Sequence, residues 1–354
     1  MHRISRYIGR TVGWAILVVL LLIVGLDAVA AIIDQTGDMR ADYGFAQSLV
    51  YVLLTLPGRI YEYIPLAALV GSLVAMGSLA SSSELIVCRV AGVSLSRLIW
   101  FACKPVIWLI LASLLITEYV SPLTDQWAQS YKDLARWGKE RSIAADGGLW
   151  HREGDSFMHF NAVQPGGVLY GVTVFEFDDR AELSRATFAA RASYQRERWL
   201  LESVRSTEFG AGSIGSDYSN TRSWDTQLTP ELLGYISLAA EDLSVSGLNR
   251  YAAYLEAQAL DSGEYRLAFW QKVFQPLAVV SLVLIAMSFV FGPLRESTAG
   301  YRLFIGVIVG IAFQFVQNLL GPSSLIYGFS PVLAVLLPIV ACLLLGAMLL
   351  SRVR

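Results

Sequence analysis

The sequence predicts an α-helical, polytopic membrane protein of six transmembrane helices with an all-β, jelly-roll-like domain inserted between the third and the fourth. Three observations carry this. The 354-residue chain is 55% hydrophobic and only 16% charged, with a mean hydropathy of +0.52, too apolar for a water-soluble protein of this length. Its apolar residues gather into runs close to the roughly 20 residues that cross a ~30 Å hydrocarbon core. Between the third and fourth runs lies a long polar stretch with the texture of short strands. Net charge is −2, which offers no footprint for nucleic acid. Cys88, Cys103 and Cys342 lie in or beside apolar runs, so no disulfide framework braces the polar middle, and no C-x-x-C pair suggests zinc.

The first span, 12–33, follows Arg3, Arg6 and Arg10. The second covers 63–80, extended outward through 49–56. The third covers 98–119, with Lys104 near enough to its start to snorkel. The fourth, fifth and sixth are 273–291, 303–320 and 331–350. The chain thus divides into 1–120 with three spans, an external region 121–265, and 266–354 with three more.

Positive charge orients these spans. Arg3/Arg6/Arg10, Arg89/Arg97, Arg295/Arg302 and Arg352/Arg354 fall on one side, whereas the short loop 321–330 has no Lys or Arg. By the positive-inside bias both termini and the loop 81–97 are cytoplasmic, and 121–265 is outside. Ala28-Val29-Ala30 resembles a signal-peptide cleavage site, but apolar character continues through Ile33, which favours a retained helix.

The loop 81–97 carries a short amphipathic helix of its own. Ser81 to Ser83 offer N-caps, and Glu84 falls in the first turn, where a carboxylate suits the helix dipole. Leu85, Cys88 and Gly92 share one stripe, with Arg89 beside it and Gly92 able to end the helix. Two readings are open: a helix lying on the membrane surface, or one that docks a soluble partner.

The external region has two textures. From 141 to 228, alternating runs are broken by turn residues. Gly148–His151 and Phe157–Val163 flank Glu-Gly-Asp as a hairpin, and Gly171–Phe177, Thr187–Tyr194 and Trp199–Phe209 continue it across turns at Asp178-Asp179 and Gln195–Arg198. Strands at this spacing suggest a sandwich or jelly roll. From 230 to 265 a helical connector follows. Pro230 stands at N1, Ser246 is the expected cap of a helix over 247–261, and Gly263 the expected stop.

Catalytic motifs are absent: no phosphate-binding loop, no H-E-x-x-H and no G-x-S-x-G. His151 and His159 stand on opposite strands of the first hairpin and are most simply sheet-surface residues. Within the membrane, Asp27 lies about six residues, or ~9 Å, from the outer end of its span. A central Asp costs ~2.5–3.5 kcal/mol on insertion scales, so its carboxylate should face protein or water. A helix–helix hydrogen bond and a substrate role are both open. Gln314, Gln317 and Asn318 make a polar face on the fifth span. Gly306/Gly310 and Ala67/Gly71/Ala75 provide small-residue spacing for close packing.

Several blocks together resemble one family. They are Arg-Tyr-Ile-Gly-Arg-Thr near the start, Asp34-Gln35, Ser-Glu-Leu-Ile-Val (83–87), Asp-Leu-Ser-Val-Ser-Gly-Leu (242–248), and Trp270 with Lys272. Phe-Gln-Pro-Leu (274–277), Ser-Phe-Val-Phe-Gly-Pro-Leu-Arg (288–295) and Gly-Pro-Ser-Ser-Leu-Ile-Tyr-Gly (321–328) complete the set. In this order, over essentially the whole chain, they resemble the LptF/LptG permease family, and the Gly-Pro-Leu-Arg and Ser-x-Ser-Gly-Leu blocks resemble its LptG branch.

The resemblance implies a six-span permease of the lipopolysaccharide-export ABC transporter in the Gram-negative inner membrane, with a periplasmic β-jelly roll. It implies pairing with an LptF-like homologue, two LptB-like ATPases and an LptC-like periplasmic protein. Such a permease is not itself an enzyme and binds no cofactor, ATP and Mg being held by the partner ATPase. By the same resemblance 81–97 is the coupling helix, with Ser83, Glu84, Leu85, Cys88, Arg89 and Gly92 at the ATPase. Spans one and five would gate a lateral cavity to which Leu26, Asp27, Val29, Ile33, Gln314 and Gln317 contribute. Family members often carry lysines near the outer end of span one. Here Asp27, Asp34 and Asp38 stand there instead, so Arg59, Lys132 and Arg136 become the cations expected to meet lipid phosphates, unless they are ordinary interfacial anchors. A membrane scaffold without transport is the competing class. A permease of the lipoprotein-release type is disfavoured by the span count.

Overall fold

The computed structural model describes residues 2–38, 44–137, 149–164, 167–178, 180, 182–210, 213–236, 238–258, 260–292 and 297–352. The chain opens with α1 (His2–Gln35), one helix that carries the whole first span and ends in a 3-10 turn, Thr36–Asp38. The next helix, α2 (Phe45–Ser81), joins 49–56 and 63–80 without interruption although Pro57 and Pro65 lie inside it. Within a bundle, neighbouring helices re-satisfy the backbone groups that such prolines free. A short α3 (Glu84–Val90) lies in the predicted cytoplasmic loop. From there α4 (Leu95–Leu115) runs through a single π turn, Ile116–Val120, into α5 (Ser121–Trp137).

Six strands follow, β1 (Leu149–Glu153), β2 (Ser156–Gln164), β3 (Val168–Phe177), β4 (Leu183–Gln195), β5 (Arg198–Gly210) and β6 (Ser213–Trp224). The chain then makes α6 (Pro230–Ile236), a 3-10 turn Ala240–Asp242, α7 (Val245–Ala257), α8 (Gly263–Phe291), α9 (Ala299–Tyr327) and α10 (Pro331–Ser351). Among the described residues six helical stretches are long and apolar enough to cross a membrane: Arg3–Gln35, Phe45–Ser81, Leu95–Lys132, Gly263–Phe291, Ala299–Tyr327 and Pro331–Ser351. The six-span expectation holds, with longer helices than the apolar runs alone indicated.

Local caps differ from expectation. Ser83, at the N-cap of α3, has φ 64° and makes no side-chain cap bond; Ser82 Oγ instead donates to the Glu84 carboxylate at 3.0 Å. The cap of α7 is Ser244 rather than Ser246, its Oγ accepting from the Gly247 N–H at 3.0 Å. Gly263 begins α8 rather than closing α7. Thr229 does cap α6, through the Leu232 N–H at 3.2 Å. Arg295, Arg354 and Asp179 lie outside the described residues.

The chain forms two compact units. The first joins 1–30, 56–121 and 243–354, and its core runs through α1, α2, α4, α8, α9 and α10. α2 is central because small residues let neighbours approach. A Cβ on Gly71 would lie 2.5 Å from the Ile16 Cα of α1, and one on Gly310 of α9 would lie 2.3 Å from Leu66 Cδ1. Ala67 and Ala75 are buried on the same stripe as Gly71. The small-residue spacings thus mark real close contacts.

The second unit joins 31–55 and 122–242. Its described strands form one antiparallel sheet in the order β1-β2-β3-β4-β5-β6, each strand paired with the next in sequence. The expected all-β insert is present, connected as a meander. Phe160, Leu169, Val172, Trp199 and Leu201 build its core with Leu228 and Leu233, and Trp199 Nε1 donates to the Leu228 carbonyl at 2.7 Å. In the same unit Ser130 Oγ of α5 donates to the Val163 carbonyl of β2 at 3.0 Å, tying helix to sheet.

Candidate functional site

Three groups of residues matter: the α3 loop, an ionic cluster toward the C-terminal end of α1, and the exposed faces of α1 and α9. In α3, Leu85 is 4% exposed and belongs to the core of its own helical unit, with Cys88 packed beside it. Of the expected Leu85/Cys88/Gly92 stripe, Leu85 faces inward, Cys88 is half-buried and Gly92 is exposed. Ile86, Val87 and Val90 are exposed instead, Val90 by 84%. The physical reason is that a seven-residue helix between two spans must bury one face on the bundle that holds it. Glu84 is half-buried, approached by the Ser82 hydroxyl and hydrogen-bonded by the Tyr7 side chain of α1. Arg89 is exposed, and Gly92 takes φ +85°, the left-handed conformation that ends the helix as expected.

Asp27 is not bare. One carboxylate oxygen accepts an ion pair from Arg59 Nη1 of α2, and the other accepts from the Tyr63 hydroxyl at 2.7 Å. Both charged side chains are partly covered, about a quarter exposed for Arg59 and a fifth for Asp27. Charge-assisted hydrogen bonds of this kind contribute about 1.5–3 kcal/mol each. The helix–helix reading of Asp27 is therefore realised, and one of the proposed phosphate cations already holds a carboxylate. Lys132 is half-buried, with Nζ 4.9 Å from the centroid of the Tyr51 ring. The Arg136 side chain lies outside the described residues.

Leu26, Val29 and Ile33 are 66, 57 and 62% exposed and continue a face that begins at Trp14 and Val18. On α9 a similar face holds Phe304, Ile311, Phe315 and Leu319, with Gln314 and Gln317 half-buried beside it. α1 and α9 thus present long, unpartnered apolar faces.

A further cluster escaped residue-level reading. Lys272, 6% exposed in α8, donates to the Leu243 carbonyl at 2.6 Å and to Thr117 Oγ1 at 3.2 Å. Glu118 accepts from the Val245 N–H at 3.0 Å and the Ser246 N–H at 3.5 Å. Lys272 and 242–248 stood among the blocks that carried the resemblance, which was the only sequence signal for them.

The family model "Lipopolysaccharide export system permease LptF/LptG" matches residues 6–352. The lipopolysaccharide export system permease protein LptG of Escherichia coli K12 is 33% identical over 353 residues, 99% of this chain and 98% of that protein. The protein of the same name from Haemophilus influenzae is 32% identical over 357 residues, 100% of this chain and 99% of its own length. With six spans, a β insert between the third and fourth, and a match from end to end, the chain belongs to the LptF/LptG family of lipopolysaccharide export system permeases.

Proposed function

We propose that the chain is the permease subunit of an ABC transporter that extracts lipopolysaccharide from the bacterial inner membrane and passes it to a periplasmic bridge. ATP hydrolysis in a separate subunit drives the cycle. The observation that carries this reading, beside the family, is the amphipathic wall on the outer half of α1. Leu26, Val29 and Ile33 offer apolar surface for acyl chains, and the Asp27–Arg59 pair bridges α1 and α2 at the same level. A lipid with several acyl chains and an anionic head matches that sequence of surfaces. Arg59 is the cation for its phosphates, with Lys132 and Arg136 as further candidates.

Both termini and α3 face the cytoplasm, and 121–265 faces the periplasm, by the arginine asymmetry. The partners are an LptF-like homologue across the exposed faces of α1 and α9, two LptB-like ATPases, one of them at α3, and an LptC-like periplasmic protein. The ATPase meets Ile86, Val87 and Val90, while Glu84 stays tied to α1. Because α2 and α4 flank this short helix, pushing it tilts both.

The test is site-specific photo-crosslinking in the assembled complex. Crosslinkers at Leu26, Val29 and Ile33 should capture lipopolysaccharide, more strongly with ATP withheld than during turnover. Capture absent at all three positions would instead support a scaffold without transport.

A further inference from the structure

We propose that Lys272 and Glu118 act together as a clamp on the segment Leu243–Ser246, and that this clamp is what positions the periplasmic connector during export. The inference rests on the transport reading above.

The geometry is specific to one short piece of chain. The Ser244 carbonyl is already used by the Leu248 N–H at 2.9 Å, so the preceding carbonyl, Leu243, is the one left over where α7 begins. The Lys272 ammonium takes it at 2.6 Å. The first amides of α7, Val245 and Ser246, have no acceptor within their own helix, and the Glu118 carboxylate takes them. A cation from α8 thus holds the carbonyl side of the junction, and an anion from the π turn holds its amide side. Each charge meets the backbone polarity that suits it.

The supports of the clamp are equally tied down. Thr117 Oγ1, in the same π turn as Glu118, accepts a second hydrogen bond from Lys272. The Lys272 ammonium also lies 5.5 Å from the centroid of the Tyr61 ring, and Gln275 Nε2, one turn along α8, donates to the Tyr61 carbonyl at 3.0 Å. The π turn that follows α4 and the helix α8 therefore converge on one four-residue segment, and α2 braces α8 through Tyr61. A π turn inside a long helix is a local departure that recurs at functional positions, and here it aims Thr117 and Glu118 at the same junction. α2 and α4 are also the two spans that leave the ends of the α3 loop. A tilt begun at α3 thus reaches the junction through α4 and its π turn, which is hydrogen-bonded to it, and through α2, which is hydrogen-bonded to α8.

The experiment uses the full complex with its ATPase. Lys272→Met keeps the volume and removes the charge; Glu118→Ala removes the acceptor. Each should leave assembly and ATP hydrolysis per complex within about twofold of wild type, while release of lipopolysaccharide from membrane vesicles falls at least tenfold. Lys272→Arg, which keeps a cationic donor, and Glu118→Gln, which keeps an acceptor oxygen, should recover most of that loss. Hydrogen exchange at the Val245 and Ser246 amides should quicken at least tenfold in Glu118→Ala, a readout independent of what is transported. Unchanged exchange would overturn the clamp itself. Unchanged export would overturn its role, and so would parallel loss of assembly, hydrolysis and export in both variants, which marks a folding contact only. If the wild-type complex released no lipopolysaccharide while exchange still quickened, the transport reading would fall, and with it the clamp's role in export.

Discussion

Arg302, 3% exposed in α9, donates from Nη1 to the carbonyl oxygen of Gly77 in α2 at 2.6 Å. A Cβ at Gly77 would stand 2.9 Å from that nitrogen and 3.2 Å from the Arg302 Cδ. The guanidinium occupies the space that any larger residue would need. Gly77→Ala should therefore lower the thermal unfolding midpoint in detergent, at a cost of about 1–3 kcal/mol, typical of overpacking. Arg302→Met, which leaves the space filled but removes the donor, should cost about 1–3 kcal/mol as well. Because both changes break the same contact, the double variant should lose less than the sum of the two. Full additivity would show that the two residues act independently.

The Asp27–Arg59 pair makes a second prediction. Asp27→Asn removes the charge that holds Arg59 and should raise lipopolysaccharide capture by a photo-crosslinker at Val29 several-fold. Arg59→Ala should lower the same capture at least fivefold. Asp27→Asn leaves the Tyr63 hydroxyl a neutral acceptor but removes the charge-assisted bond to Arg59, so the fold should lose about 1.5–3 kcal/mol of stability. Equal capture in both variants would mean that Arg59 is an anchor for α1 and has no part in binding.

The two faces of α3 should respond differently. Leu85→Ala opens a cavity in the helical core and should cost about 2–4 kcal/mol of stability. Val87→Glu places a charge on an exposed position of the outward face, so it should spare the thermal midpoint while cutting co-purification of the ATPase at least tenfold. Glu84→Ala removes the acceptor of the Ser82 and Tyr7 hydroxyls and should loosen α3 from α1. The measurement is the ratio of ATPase to permease after purification, beside the melting temperature.

The sheet carries a pH dependence. His151 in β1 is buried, and burial holds its imidazole below the usual value of 6.5, with Glu153 opposing in part. A lowered folded-state pKa means that the unfolded chain takes up a proton first as pH falls. Stability is therefore unaffected above about pH 6.5 and declines as pH drops from there toward the folded value, by at most about 1.4 kcal/mol per pH unit. Denaturant titration of the full chain between pH 7.5 and 5 should show this decline, and His151→Leu should flatten it.

Much of this molecule is written in local pattern. Apolar runs near bilayer length, arginines on one side of them, and alternation broken by turn residues need no partner to be read. They locate all six spans and the first five strands, with helices that run well beyond the apolar runs. β6 escaped because an edge strand packs against one neighbour only. Ser-Ile-Gly-Ser-Asp-Tyr-Ser-Asn-Thr-Arg-Ser-Trp is exposed along most of its length and carries no alternation to detect. For the α7 cap, Ser244 and Ser246 are equal candidates by type, and only backbone geometry selects Ser244.

The sites divide along the same line. Sequence alone determined that Asp27 had to find a partner, since an isolated carboxylate at that depth is unfavourable, and that a short helix had to lie between the second and third spans. Which partner and which face were decided by tertiary structure. Arg59 and Tyr63 reach Asp27 because they lie more than 30 residues away on a neighbouring helix. Leu85 points inward because the bundle beside it supplies an apolar surface that a helical wheel cannot show. His151 and His159, neighbours on paper, project from opposite faces because Trp150 pairs with His159 and His151 with Met158. Lys272 meets Leu243 through space across 29 positions of sequence. Periodicity encodes what a segment must bury; what it buries against is a property of the assembled fold.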